Sequence, residues 1–403
     1  MVSGDGTRRM EDAVAALFEA ARRNEKSAPR KHHLIPASYL RRWAVDDLIR
    51  VTETDSHKTY LTSPEKAARE TDFYRITADD LDPEEMPPLL FETMLSQVEG
   101  DAKRCIDLLL AGGPRALDMK DSIAFATFLA FQVTRGRAFR ARLLDGMNRV
   151  LFLTFQNLTD AGIAQKVRER HGGEEPSAEE VANVRSFIED WRAGKWRVGP
   201  QQAAAIAQAG EDAQKMAFYF LGRPWKVYES RLPLVTCDEP VVPIHGPRGR
   251  PRAEAGVGAA GVIVLPLDPQ HLLAMFHPKL VVSEDGLEPS LLPNEADEIN
   301  LFVAAHSHFW MFEQPNLTRT TTLFVPPLPD EQIVMPTVAR RTGPESGRIE
   351  ELRHVSSPNR WSKGFGNPTP PVERWWTFAR QPGDHDRPYN WEDEEIPLYG
   401  LYG

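Results

Sequence analysis

The chain has 403 residues, 41% of them hydrophobic and 26% charged, with a formal net charge of -10. Such a composition belongs to a globular protein with a sizeable core; it excludes a wholly disordered chain and disfavours non-specific wrapping of DNA. Cys105 and Cys237 are too few and too far apart for a disulfide framework or a cysteine-rich zinc site. With no signal peptide and no membrane-length apolar run in view, the expectation is a cytoplasmic protein without membrane association.

Residues 1–30 are expected to carry an N-terminal helix over 10–23, from the spacing of Val14, Leu17, Phe18 and Ala21, and then a basic linker. The segment from His33 opens extended, because Pro36 restrains its predecessor, and then turns into a short helix with Leu40 and Trp43 on one face. Residues 48–52 and 58–62 read as a hairpin, and Asp72-Phe73-Tyr74 closes this first unit. A helical block spans 89–222. It holds a helix over 89–110 stopped by Gly112-Gly113-Pro114, one over 120–147 apolar on several sides, and a continuation over 148–168. Ser177 and Glu180 then form a capping box, and Pro200 opens a helix over 201–222.

Residues 225–312 turn strand-rich, with strands at 225–229, 234–236, 261–265, 272–276 and 308–312 and a helix at 295–305. Residues 313–403 are proline-rich and carry Trp361, Trp375, Trp376, Tyr389 and Trp391. They are poor in long regular elements, yet aromatic enough to wrap the main body or to meet a protein partner. The fold class is α+β, a helical central block packed with a mixed or antiparallel sheet, followed by a Pro/Trp-rich C-terminal extension. No βαβ spacing, glycine-rich phosphate loop or internal repeat is present.

Four places bear chemistry. The His33 imidazole titrates near neutrality and can move a proton or bind a metal; its plainer use is to lock the Pro36 turn. Glu92 and Glu99 are seven apart on one helix and look the same way, as a divalent-ion or acid–base pair would, although solvated helix faces show the same spacing. Gln132 and Arg135 share a face inside an apolar segment, where a guanidinium needs a carboxylate partner such as Glu99 or Asp238, or an anionic ligand. Asp238 stands just beyond an apolar strand in Thr236-Cys237-Asp238-Glu239-Pro240, placed either to react or to cap backbone donors. Asn300 is positioned to tie its helix to the sheet. His306 and His308 offer two ring nitrogens on one strand face, with packing the plainer reading.

The order of short motifs resembles the bacterial family of domains of unknown function numbered 4238. His33-Leu34-Ile35-Pro36-Ala37-Ser38-Tyr39-Leu40-Arg41-Arg42-Trp43 is similar to its opening motif and Asp72-Phe73-Tyr74 to its second signature. Leu95-Ser96-Gln97-Val98-Glu99, Gln132-x-x-Arg135, the Asp238 turn and Val264 to Pro269 follow in the family's order, with Arg137, Cys237 and Glu239 departing from it. The resemblance covers about 31–312 and implies one domain there, divided into the motif and hairpin at 31–76, the helical block at 89–222 and the strand-rich part at 225–312. It also implies that several of His33, Glu99, Gln132, Arg135 and Asp238 meet in one polar pocket, either catalytic or a buried network that holds the domain together.

The expectation carried forward is a metal-assisted hydrolase of a phosphoester, either a phosphorylated small molecule or a nucleic acid. His33, Glu99 and Asp238 would hold a divalent ion such as Mg or Mn, while Arg135, aided by Gln132, meets the phosphoryl charge. The alternatives are a non-catalytic anion or nucleotide sensor in a stress or defence system, and an interaction protein with a buried polar network.

Overall fold

The computed structural model describes residues 4–25, 30–77, 82–83, 85–155, 158–193, 195, 199–244, 257–258, 260–278, 288–323, 325, 333–340, 348–356 and 372–375. The chain divides into two compact units. One comprises residues 1–139, 202–329 and 359–403, and the other 140–201 and 330–358. Trp361, Trp376, Tyr389 and Trp391 lie outside the described residues.

The larger unit begins with α1 (Gly4–Glu25), β1 (Lys31–His33), α2 (Ala37–Leu40), a 3-10 turn (Arg41–Trp43), β2 (Ile49–Glu53), β3 (Thr59–Thr62) and β4 (Arg69–Thr71). Pro36 is extended at φ -57 and ψ 129, and the backbone turns helical immediately after it. Leu40 and Trp43 then fall on one face, and both are fully buried. The motif also joins two sheets by hydrogen bonds. The Tyr39 hydroxyl meets Thr236 Oγ1 at 2.8 Å and donates to the Pro266 carbonyl at 2.7 Å, and Trp43 Nε1 donates to the Leu234 carbonyl at 2.9 Å. Burying these rings without such partners would be costly.

Next come α3 (Leu90–Gly112) and α4 (Met119–Thr134). Asp118 caps α4 by accepting the Asp121 amide. The sequence suggested one helix over 120–147, but the backbone bends at Arg135-Gly136 and resumes as α5 (Arg137–Phe155), within which the division between the units falls. Glycine weakens a helix, and this one is also packed closely, since a Cβ at Gly136 would lie 3.3 Å from Glu239 Oε1. Helix α8 (Gln202–Leu221) packs on α4, which in turn packs on α3.

The strand-rich part follows with β5 (Trp225–Ser230), β6 (Thr236–Cys237), β7 (Val242–Ile244), β8 (Val262–Asp268), β9 (His271–Phe276) and β10 (Ser290–Leu291). It ends with α9 (Pro293–His306), β11 (Trp310–Glu313) and α10 (Arg319–Thr322). One sheet has the order β10-β5-β9-β8-β7, antiparallel except where β10 runs parallel to β5. A second, β3-β2-β11-β6, is antiparallel throughout, and β1 pairs with β4 alone. The inner faces of β5, β7, β8 and β9 and the apolar side of α9 form one core, which Val372 and Trp375 complete.

The smaller unit holds the rest of α5, α6 (Asp160–Arg170), α7 (Ala178–Arg192), β12 (Ile333–Arg340) and β13 (Arg348–Ser356). The capping box forms as expected, with Ser177 and Glu180 bonding reciprocally. The antiparallel pairing of β12 and β13 was not foreseen in a segment read as poor in regular elements.

Candidate functional site

The candidate residues come from β1, α3 and the end of α4. His33 closes β1, where it stands opposite Arg69 of β4. Its Nε2–H donates to the Glu65 carbonyl at 3.0 Å, which leaves Nδ1 as the acceptor in the neutral ring. Burial lowers the His33 pKa, the Glu65 carbonyl and Glu99 pull it back up, and Arg69 and Arg135 lower it further. The net effect keeps the imidazole neutral at physiological pH.

Arg135 caps α4 and is only 2% exposed. Its Nη1 donates to Glu99 Oε1 at 2.6 Å and its Nη2 to Gln132 Oε1 at 3.3 Å. Burial opposes its charge, but Glu99, Tyr74 and Glu92 outweigh that effect and raise its pKa. Glu92 lies two turns before Glu99 on α3 and is half-buried. Burial and the Glu99 charge push its pKa up to about 7, against a smaller pull from Arg135. One helix face therefore carries two carboxylates in unlike surroundings, Glu99 held by a guanidinium and Glu92 pushed up to about 7.

Aromatic rings back this cluster. Phe91 meets Phe131 edge-on at 5.9 Å and Tyr74 at 5.5 Å, and Tyr74 stacks on His32 at 5.7 Å. Low-dielectric walls of this kind strengthen the charge effects on His33 and Glu92. Beyond Glu99, a shallow depression bordered by Ser38, Arg42 and Lys103 has no room for a water-sized sphere.

Thus His33, Glu99, Gln132 and Arg135 share one set of mutual contacts and fields. Asp238 answers to other neighbours. Its Oδ1 accepts the His308 amide and its Oδ2 the Phe309 amide, both at 2.8 Å, while its own N–H donates to the Trp310 carbonyl. Burial and Glu239 raise its pKa to about 6 against the pull of His308 and the two amides. With both oxygens committed to backbone, Asp238 clamps the approach to β11.

Among the described residues, no three His, Cys, Asp or Glu side chains are grouped to hold a metal ion. The residues present thus do not fit the three-ligand divalent site drawn from His33, Glu99 and Asp238. Asn300 ties α9 to the sheet, accepting the Val235 amide and donating to the Pro233 carbonyl. His306 ends α9 and His308 precedes β11, so the two do not share a strand face. Cys237 is fully buried and its thiol is pushed well up. Glu92 and Arg69 are the cluster members absent from the set the family signatures imply. The seven-residue spacing pointed to Glu92, and no local pattern marks Arg69.

These features define an α+β protein of helices packed on antiparallel and mixed sheets, with a largely buried polar cluster around Arg135 at the end of α4. The chain belongs to the family described as protein of unknown function (DUF4238), which matches residues 31–316. No curated protein and no solved structure matches the chain.

Proposed function

We propose that the cluster of His33, Glu92, Glu99 and Arg135 is the acid–base centre of a hydrolase acting on a phosphoester. The observation that carries this reading is the Glu99–Arg135 ion pair beside Glu92, whose carboxyl burial and the Glu99 charge push up to about 7. A carboxyl raised towards neutrality in this way is suited to donate a proton as a general acid. In the reaction, water attacks phosphorus and gives its proton to His33 Nδ1. The bond from phosphorus to the leaving oxygen breaks, and the Glu92 proton passes to that oxygen. Glu99 keeps Arg135 charged and in place. Both cysteines are free and buried, and among the described residues no helix is long and apolar enough to cross a membrane. A reducing, cytoplasmic setting accords with both.

The test is hydrolysis of bis(p-nitrophenyl) phosphate, nucleotides, and single- and double-stranded DNA and RNA, each with and without Mg or Mn. The rate should need neutral His33 and protonated Glu92. Activity should fall as pH drops through the lowered His33 pKa and again as pH rises through about 7. Glu92→Gln and His33→Gln should each cost roughly 10²–10⁴-fold, the usual worth of a positioned proton donor or acceptor. Full activity in Glu92→Gln, or no turnover of any of these substrates, overturns the reading.

A further inference from the structure

Residues 372–375 lie beyond the family-matched region of 31–316, yet the seat they occupy is built from elements within it, β5, β9, β10 and α9. Two anchors hold them there. The Arg374 guanidinium donates to both oxygens of Glu295, from Nε at 2.7 Å and from Nη2 at 2.9 Å, and Nη2 also reaches the Ser290 carbonyl at 2.7 Å. Trp375 is fully buried between Tyr228 of β5 and Phe276 of β9. Val372 is buried in the same core, and its carbonyl accepts the Trp375 amide at 2.9 Å, which closes the four residues into one turn. A forked guanidinium–carboxylate pair and a buried tryptophan are the anchors that carry most of the energy in protein recognition.

The seat is selective, and its present occupant sits in it under strain. Glu295 is 6% exposed and is fixed in place by accepting the Leu292 amide at 2.7 Å. A carboxylate buried to that degree needs a counter-charge, and Arg374 is its ion-pair partner among the described residues, so a guanidinium is demanded at this end. The other end takes a large flat ring. Val372, however, is held at φ 55, a left-handed conformation that a β-branched residue adopts only at a cost. Release from the seat relieves that strain, and the room a ligand needs is the room these four residues fill. We propose that this seat is a recognition site for the short motif Val-x-Arg-Trp, occupied by the chain's own residues 372–375 and taken, when they leave, by a partner protein that carries the same motif. The site is independent of the hydrolase reading of the His33 cluster.

The test uses the full chain and a fluorescein-labelled peptide of residues 369–378, followed by fluorescence polarisation. Trp375→Ala empties the aromatic end of the seat, and this chain should bind the peptide along a saturating curve. The native chain should bind about tenfold more weakly or less, because its own tethered segment competes at a high effective concentration. A peptide carrying Arg374→Ala and Trp375→Ala should lose about thirtyfold or more in affinity, as truncated anchors do. Glu295→Gln, added to the Trp375→Ala chain, keeps an oxygen for the Leu292 amide but removes the charge. It should weaken the intact peptide about tenfold and leave the double-alanine peptide unchanged. Arg374→Met loosens the segment more gently and replaces Trp375→Ala in every comparison if circular dichroism shows that variant unfolded. No saturable binding to a folded variant chain, equal affinity for the native and variant chains, or indifference to the Arg–Trp pair overturns the site.

Discussion

At the scale of single residues, Glu92 makes the sharpest prediction. Its ordinary pKa of 4.5 rises to about 7 in the fold. The folded state therefore holds this proton more tightly than the unfolded chain. That contribution to stability is fully present below pH 4.5 and is lost as pH rises through 7. Above pH 8 the ionised carboxylate costs up to about 3 kcal/mol, at about 1.4 kcal/mol per pKa unit. Glu92→Gln should therefore melt higher than the native chain at pH 8.5, and the gap should shrink steadily towards pH 5. A difference in melting temperature that ignores pH would refute this account. Part of the arrangement was legible in advance, because seven residues on a helix return a side chain to the same face. The pairing was not. Glu92 and Glu99 are equivalent as sequence, and only the position of the α4 end gives Arg135 to one of them.

At the scale of elements, strands rich in β-branched and aromatic residues were readable from their runs, as β5, β8 and β9 show. The pairing of β1 with β4 was not, because three-residue strands acquire their order from a partner 38 residues away in register. The turn after β6 shows how one side chain can hold elements in place. Asp238→Ala would strand the amides of His308 and Phe309, which the carboxylate now satisfies within a buried site. At about 1–3 kcal/mol for each buried donor left unmade, the loss should be roughly 2–6 kcal/mol. Thermal denaturation should show it, while the rate of the proposed hydrolysis per folded molecule, measured well below the melting point, should stay within a few-fold of native. A variant that melts normally but has no activity would place Asp238 in the reaction after all. The bend at Gly136 belongs to this scale too. Its apolar surroundings read as one continuous helix, and the reason to break it, Glu239 packed against the glycine, lies a hundred residues further on.

At the scale of the whole molecule, the aromatic C-terminal extension was expected to wrap the main body, and within the larger unit a short piece of it can be followed. Residues 372–375 reach the core of the β10-β5-β9-β8-β7 sheet, where Trp375 is fully buried between Tyr228 at 5.3 Å and Phe276 at 5.6 Å. Arg374 fixes the approach by bonding both oxygens of Glu295, the residue that also caps α9, and the Ser290 carbonyl. Composition alone could show that the tail had aromatic area to bury, but not which of its tryptophans would be spent on this sheet. The two-unit division was equally hidden, since hydrophobic periodicity continues through α5 across the boundary. If the sheet is completed from so far along the chain, Trp375→Ala should cost about 3–5 kcal/mol, the usual penalty for emptying a large aromatic site. Arg374→Met should cost less, because its guanidinium is partly exposed and its aliphatic stem can still pack. Urea unfolding followed by tryptophan fluorescence and circular dichroism measures both. A Trp375→Ala loss below 1 kcal/mol would mean that the sheet closes its core without the returning segment, and that the tail merely rests on it.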